Sequence, residues 1–337
     1  MTDLAAEDRV GAGGRTAAGS SAATAAPEAP DHAAAAPDHA PQRVRDAVVD
    51  EAAATAQRAA ERAGVQVRIL TDLADLTALS QLFHTIWGRE QGAPMTPELL
   101  RAMSKAGSYV AGAYSDGELI GGAVAFHEEP AVRTLHSHIA GVRPGPWRNV
   151  GSALKLHQRA WALERGIDHI VWTFDPLVSR NAYFNIVKLG AMPVEYLPNF
   201  YGTMADAING HDDTDRLVAR WPLRDPDVVV ACAGHAPHVD ELSVRGAGAE
   251  RAVRLVDGRP EPVATDADIV IVPVPADIAA VRGSDIELAR QWRRAVRDVL
   301  APLLAGGGRV IGFDRGGAYL VRRAGAASDP TPLRSES

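Results

Sequence analysis

The chain has 337 residues, enough for one large domain or two modest ones, and 46% of them are hydrophobic, ample for a packed core. A formal net charge of −7 argues against a general nucleic-acid binder, which carries a basic surface. The single cysteine, Cys232, cannot form an internal disulfide, no apolar run approaches the ~20 residues needed to span a bilayer, and no basic segment followed by an apolar core marks a secretory signal, so a cytoplasmic protein without membrane partner is expected.

Residues 1–45 are Ala, Gly, Pro, Ser and Thr with scattered charge and almost no large apolar side chains. Such a segment cannot offset its ordering entropy by burial, and a disordered arm is predicted there. The Ala-rich, mixed-charge stretch 46–64 favours a lead-in helix. Residues 65–70 alternate as a strand, and Thr71-Asp72 then caps a helix through Ile86 whose buried side carries Leu76, Leu79, Leu82, Phe83 and Ile86. Thr96-Pro97-Glu98 opens a second, short helix with proline in its first turn. Residues 109–114 and 119–126 flank Ser115-Asp116-Gly117-Glu118 and read as a β-hairpin. Next come a strand over 134–142, a helix over 154–165, a short apolar strand over 169–174, a helix from Ser179 to Leu189 stopped by Gly190, and an extended segment over 192–201. In the first of these helices Leu154, His157 and Trp161 share a stripe, with Lys155, Arg159 and Glu164 off it.

The texture changes near residue 225. A buried-type strand over 268–273, a long helix over 285–304 with Ile286, Leu288, Trp292, Val296, Val299 and Leu300 inside, and a hairpin of 310–313 with 318–321 follow. Arg290, Arg293, Arg294 and Arg297 read as one solvated face of that helix. The expected organisation is a main α/β domain over 65–223, a C-terminal elaboration over 224–323 packed on it, and a loose tail over 324–337.

The turn Arg148-Asn149-Val150-Gly151-Ser152-Ala153 lies between a strand and a helix start, where several backbone N–H groups are left unpaired and point the same way. With the helix macrodipole behind them, those donors suit a phosphate or pyrophosphate, and Gly151 allows close approach. The alternative is an ordinary strand-to-helix loop. The element order, with Arg148-x-x-Gly151-x-Ala153 at this turn, Gly141-Val142-Arg143-Pro144 before it and Lys188-Leu189-Gly190-Ala191 ending a later helix, resembles the GNAT superfamily of acyl-CoA-dependent acyltransferases over residues 65–201. The resemblance implies an α/β (α+β) fold with a mixed, mostly antiparallel central sheet flanked by helices, and acetyl-CoA or another acyl-CoA as cosubstrate, with no metal. It places pyrophosphate contacts on Arg148, Asn149, Val150, Gly151, Ser152 and Ala153, and main-chain pairing with the pantetheine arm on Ile139, Ala140 and Val142. Many relatives carry, shortly before Lys-Leu-Gly, a Tyr that protonates the leaving thiolate; here that position is Ile186, which puts the role in doubt.

Transfer to an amine needs a neutral amine, an oriented thioester, oxyanion stabilisation and a proton for the sulfur. His136 and His138 sit two apart on a strand, so they share a face, and an imidazole titrates near neutrality. They are candidates for the base or else polar residues satisfied within the sheet. Glu128 and Glu129 are alternatives. Tyr183, one turn before Ile186, and Tyr201 are candidate acids. Asp175, after the fifth strand, either holds a cationic acceptor or caps the Pro176 turn. His235, His238 and Asp240 are metal-like only on paper, and Cys232 lies too far from the matched region to carry an acyl group. The expected activity is direct acyl transfer from acyl-CoA to an amine of a small molecule or protein, with a non-catalytic acyl-CoA-binding sensor as the alternative. Acceptor identity is not encoded in any motif, and self-association into a homo-oligomer is left open.

Overall fold

A computed structural model describes residues 46–87, 92–129, 132–202, 212–236 and 239–326. The expected arm over 1–45, the end of the tail and His238 lie outside them.

The element order is α1 (Ala47–Ala63), β1 (Gln66–Ile69), α2 (Leu73–Trp87), α3 (Pro97–Lys105), β2 (Tyr109–Ser115), β3 (Glu118–His127), β4 (Thr134–Val142), α4 (Val150–Glu164), β5 (His169–Phe174), α5 (Ser179–Tyr183) running on as a π-helical turn (Phe184–Lys188), β6 (Met192–Leu197) and β7 (Arg216–Pro222). The main sheet has seven strands in the order β1-β2-β3-β4-β5-β7-β6. All its pairings are antiparallel except β4 with β5. It is thus the mixed α/β, mostly antiparallel sheet that the sequence implied. The Asp116-Gly117 turn, both residues at positive φ, forms the β2–β3 hairpin.

Two apolar layers sandwich this sheet. On one face Leu76, Leu79, Phe83 and Leu100 of α2 and α3 pack on Val110 and Val124. α2 reaches the strands because Gly122 and Gly141 lack side chains: a Cβ at Gly122 would stand 2.2 Å from Leu79 Cδ1, and one at Gly141 2.5 Å from Trp87. The other face carries α4, covered in turn by α1. α4 is therefore enclosed on nearly every side, and here the sequence reading needs correction. Lys155 and Arg159, which the spacing sets off the Leu154 stripe, are nonetheless buried, 8% and 0% exposed. Arg159 is satisfied inside, donating to the Leu223 carbonyl and pairing with Glu51 of α1 at 2.8 Å.

The C-terminal part comprises α6 (Pro226–Cys232), α7 (Glu241–Gly246), β8 (Glu250–Arg251), β9 (Val253–Val256), β10 (Arg259–Pro262), β11 (Ile269–Pro273), α8 (Ile278–Ser284), α9 (Ile286–Ala305), β12 (Arg309–Asp314) and β13 (Ala318–Arg322). A four-stranded sheet, β12-β13-β11-β8, and α9 share one continuous apolar core with α1 and α4. The Tyr319 hydroxyl donates to the Pro176 carbonyl at 2.8 Å, tying this sheet to the end of β5. The arginines of α9 are a second correction. Arg290 and Arg294 pair with Glu287 at the surface, but Arg293 is 1% exposed and Arg297 is held by Asp213 and Asp215. Carboxylates brought from residues 175–215 turn half of an apparent solvent face inward. Among the described residues no helix is long and apolar enough to cross a membrane.

Candidate active site

β4 and β5 hydrogen-bond only over Thr134–His136 and His169–Val171. Both strands then continue, β4 to Val142 and β5 to Phe174, without pairing to each other. β4 thus presents a run of main-chain groups to an opening in the middle of the sheet, past Ser137 and including Ile139, Ala140 and Val142. A bulge opposite Val124 and Ala125 adds one residue to β4 at the start of that run, since Ile139 and Ser137 are their register partners and the ladder steps over His138.

The opening leads to the start of α4. Asn149 sits at φ +63, a left-handed conformation that asparagine tolerates, and its side chain makes no capping bond. α1, α3, α6, α7, α8 and α9 all begin on an aspartate or threonine side chain that accepts from the first turn. The early N–H groups of α4 have no such side-chain cap. Ala153 N–H bonds to the Asn149 carbonyl at 3.0 Å, closing the helix behind them. Val150 is buried, Gly151 and Ser152 are half-buried, and Arg148 and Asn149 are exposed. A Cβ at Gly151 would meet nothing within 4 Å. The space in front of the turn is open.

On the α2/α3 side of the sheet, His136 stacks on Phe126 at 5.0 Å between ring centroids, and His138 lies 5.7 Å from the same ring. His138 also borders an apolar hollow of about 460 Å³ with Met95, Leu99, Met103 and Phe126. Burial, then the neighbouring charges of His138 and Lys155, hold the His136 imidazole below its ordinary pKa, so it is neutral and can accept a proton. Glu128 Oε1 stands 4.0 Å from His136 Nδ1, placed to pair with the imidazolium once formed.

Residues 49–183 match the family model described as an acetyltransferase (GNAT) domain. That stretch is thus similar to a GNAT acetyltransferase domain. Its match begins within α1, ahead of residue 65, and ends at Tyr183. Solved structures similar to part of the chain include an N-acetyltransferase from Staphylococcus aureus Mu50 (17% identity, 48% of this chain and 99% of that one, TM-score 0.40). Others are an aminoglycoside 6'-N-acetyltransferase from Enterococcus faecium (17%, 48% and 97%, TM-score 0.37) and the ribosomal-protein-S18-alanine N-acetyltransferase from Escherichia coli (16%, 47% and 94%, TM-score 0.37). A search of curated proteins finds no match.

The other site candidates are dispersed. Tyr201 reaches β5, its hydroxyl 3.1 Å from Thr173 Oγ1, and so stands near the opening. Tyr183 faces the C-terminal hairpin, where its hydroxyl accepts from Arg315 Nε at 3.2 Å. Asp175 holds no free acceptor site: it takes the Leu177 N–H at 2.9 Å, capping the turn, and Arg293 binds both its oxygens. Asp240 caps α7, bonding Ser243 N–H at 2.7 Å. Cys232 is buried, its thiol pushed up to about 12, so it makes a poor acyl carrier.

The sequence reading passed over Ser137, Lys155 and Trp172. The Lys155 ammonium donates to Ser137 Oγ at 2.9 Å and lies 3.8 Å over the Trp172 ring. A signal was present: Leu156, Ala160 and Leu163 form a second apolar stripe on α4, which marks a helix buried on two sides and a lysine between them.

Proposed function

We propose that the chain transfers an acyl group, acetyl being the simplest, from acyl-CoA to an amine within a ternary complex. The observation that carries this reading is the continuity of the open β4 edge with the uncapped start of α4. An arm with two amide groups matches unpaired strand groups, and a pyrophosphate matches the N–H donors and positive dipole end at 149–153. His136 or His138 takes the proton of the incoming ammonium, directly or through water, and Glu128 steadies the resulting charge. A β4 N–H beside the bulge serves the tetrahedral oxyanion.

Calorimetric titration with acetyl-CoA and longer acyl-CoAs tests the reading. Stoichiometric binding that Gly151→Asp abolishes supports it. Absence of binding to all of them sinks it.

The second reading is an acyl-CoA sensor without turnover. Ile186 and the engagement of Tyr183 by Arg315 favour it. Binding with no coenzyme A release across an amine panel would select it.

A further inference from the structure

Lys155 is the one lysine that the folded core of α4 encloses, and its surroundings are unusual for a cation. Its Nζ donates to Ser137 Oγ at 2.9 Å and to Gln158 Oε1 at 3.4 Å, and it sits on the face of Trp172. Among the described residues no carboxylate pairs with it. Glu51 of α1 is taken by Arg159 of α4, and Asp175 at the end of β5 by Arg293 of α9. His136 of β4 is the titratable neighbour that feels its charge. Gln158 is itself fully buried and leaves Nε2 without a partner, so the cluster is not closed on itself.

The position matters as much as the chemistry. Ser137 is the first β4 residue beyond the last β4–β5 pair, and Trp172 is the first such residue of β5. Lys155 therefore stands where the two strands part, at the inner end of the opening. The β4 edge from Val142 to Ser137 spans about 17 Å at strand rise. An arm anchored by its pyrophosphate at 149–153 and laid along this edge ends with its sulfur near Ser137.

We propose that Ser137, backed by Lys155, delivers the proton that the coenzyme A sulfur takes up as it leaves. This rests on the acyl-transfer reading and fills the role that Ile186 cannot. The amine nitrogen forms the new C–N bond, and its surplus proton goes to the histidine side of the sheet. As the tetrahedral intermediate collapses, the C–S bond breaks and its electron pair stays on sulfur. The Ser137 hydroxyl proton moves to that sulfur while an ammonium proton of Lys155 moves to Ser137 Oγ. Neutral Lys155 is reprotonated from water when coenzyme A departs. Burial brings the lysine down to about 7, so it gives up a proton readily at neutral pH. Lys155 acts through Ser137 and is a positioning residue; Ser137 is the group that meets the sulfur.

The test needs no known acceptor. Coenzyme A is bound to the protein, and its thiol is titrated by ultraviolet thiolate absorbance. In the parent the bound thiol ionises at least one pH unit below free coenzyme A. Ser137→Ala and Lys155→Met, the latter an apolar chain of similar length that suits the Trp172 contact, each return it to the free value while coenzyme A affinity stays within about threefold. With any amine that reacts, both variants lower kcat about a hundredfold with little change in KM and lose the alkaline limb of the pH profile. An unshifted thiol in the parent, or a shift that survives in both variants, overturns the assignment while leaving acyl transfer standing. Failure of the parent to bind coenzyme A removes both.

Discussion

Arg293 of α9 grips Asp175 at the end of β5 with two parallel hydrogen bonds, 3.2 and 3.0 Å, and holds Asp212 with its Nε at 2.9 Å. The C-terminal part is thereby fastened to the main sheet one residue beyond β5. Removing Arg293 leaves two buried carboxylates to the longer contacts with Arg282, 3.5 and 3.7 Å. Arg293→Ala is expected to cost about 3–5 kcal/mol in urea unfolding, against less than about 1 kcal/mol for Arg294→Ala on the exposed side. Equal effects of the two would contradict this account of the interface.

Gly151 separates folding from binding. Its φ is ordinary for a helix and a Cβ there meets nothing, so Gly151→Ala should raise stability by about 0.5–1 kcal/mol. Acetyl-CoA affinity should fall at least tenfold, because the methyl occupies the space in front of the first-turn amides. A variant with unchanged affinity would move the pyrophosphate elsewhere.

Lys155 predicts a pH signature of stability. Its folded pKa is depressed to about 7 from 10.5, so the folded state holds fewer protons than the unfolded one between those values. The penalty of the buried charge is complete below pH 7 and is relieved as pH rises toward 10.5. Lys155→Met should therefore be more stable than the parent by about 3–5 kcal/mol at pH 6, with the gap closing toward pH 10. A gap independent of pH would mean that the ammonium is solvated.

His157 predicts the opposite flank. Its Nδ1 lies 2.9 Å from the Tyr109 hydroxyl in the α4 core, and burial, with the Arg165 charge, lowers its pKa to about 4 from 6.5. The unfolded chain binds the proton first, so stability is full above pH 6.5 and falls by roughly 3 kcal/mol as pH drops to 4. His157→Gln should remove most of that fall in chemical-denaturation curves taken between those pH values.

His136→Gln should spare acetyl-CoA binding and lower turnover about a hundredfold. The parent's acid limb should lie below the ordinary imidazole range, in keeping with the depressed pKa of this residue. If the limb persists unchanged in the variant, the proton goes elsewhere, and His138 is the next residue to replace.

Local signals carried much of this structure. The Asp116-Gly117 turn, the proline at the start of α3 and the apolar period of α9 each fix their element within a few neighbouring residues. The insertion of β7 between β5 and β6 was not legible, because the pairing of 192–197 with 216–222 depends on partners distant in sequence. Charged residues misled for a related reason. Arg293 and Lys155 look solvent-facing in a one-helix view, and only the acids at 175 and 212, or the walls formed by α1 and β5, show otherwise. The strand-to-helix turn at 148–153 was visible because its whole content lies within six consecutive residues.

The bulge at His138 leaves Ser137 turned toward α4 and both histidines turned toward α2 and α3. In the proposed reaction the sheet then acts as a partition. A proton leaves the nucleophile on one side while another reaches the leaving group on the other, and the two never compete for the same acceptor. Such separation gives each half its own proton route, coupled through the Lys155 charge that His136 feels across the sheet: the histidine compartment serves the amine, and Ser137 with Lys155 discharges the sulfur.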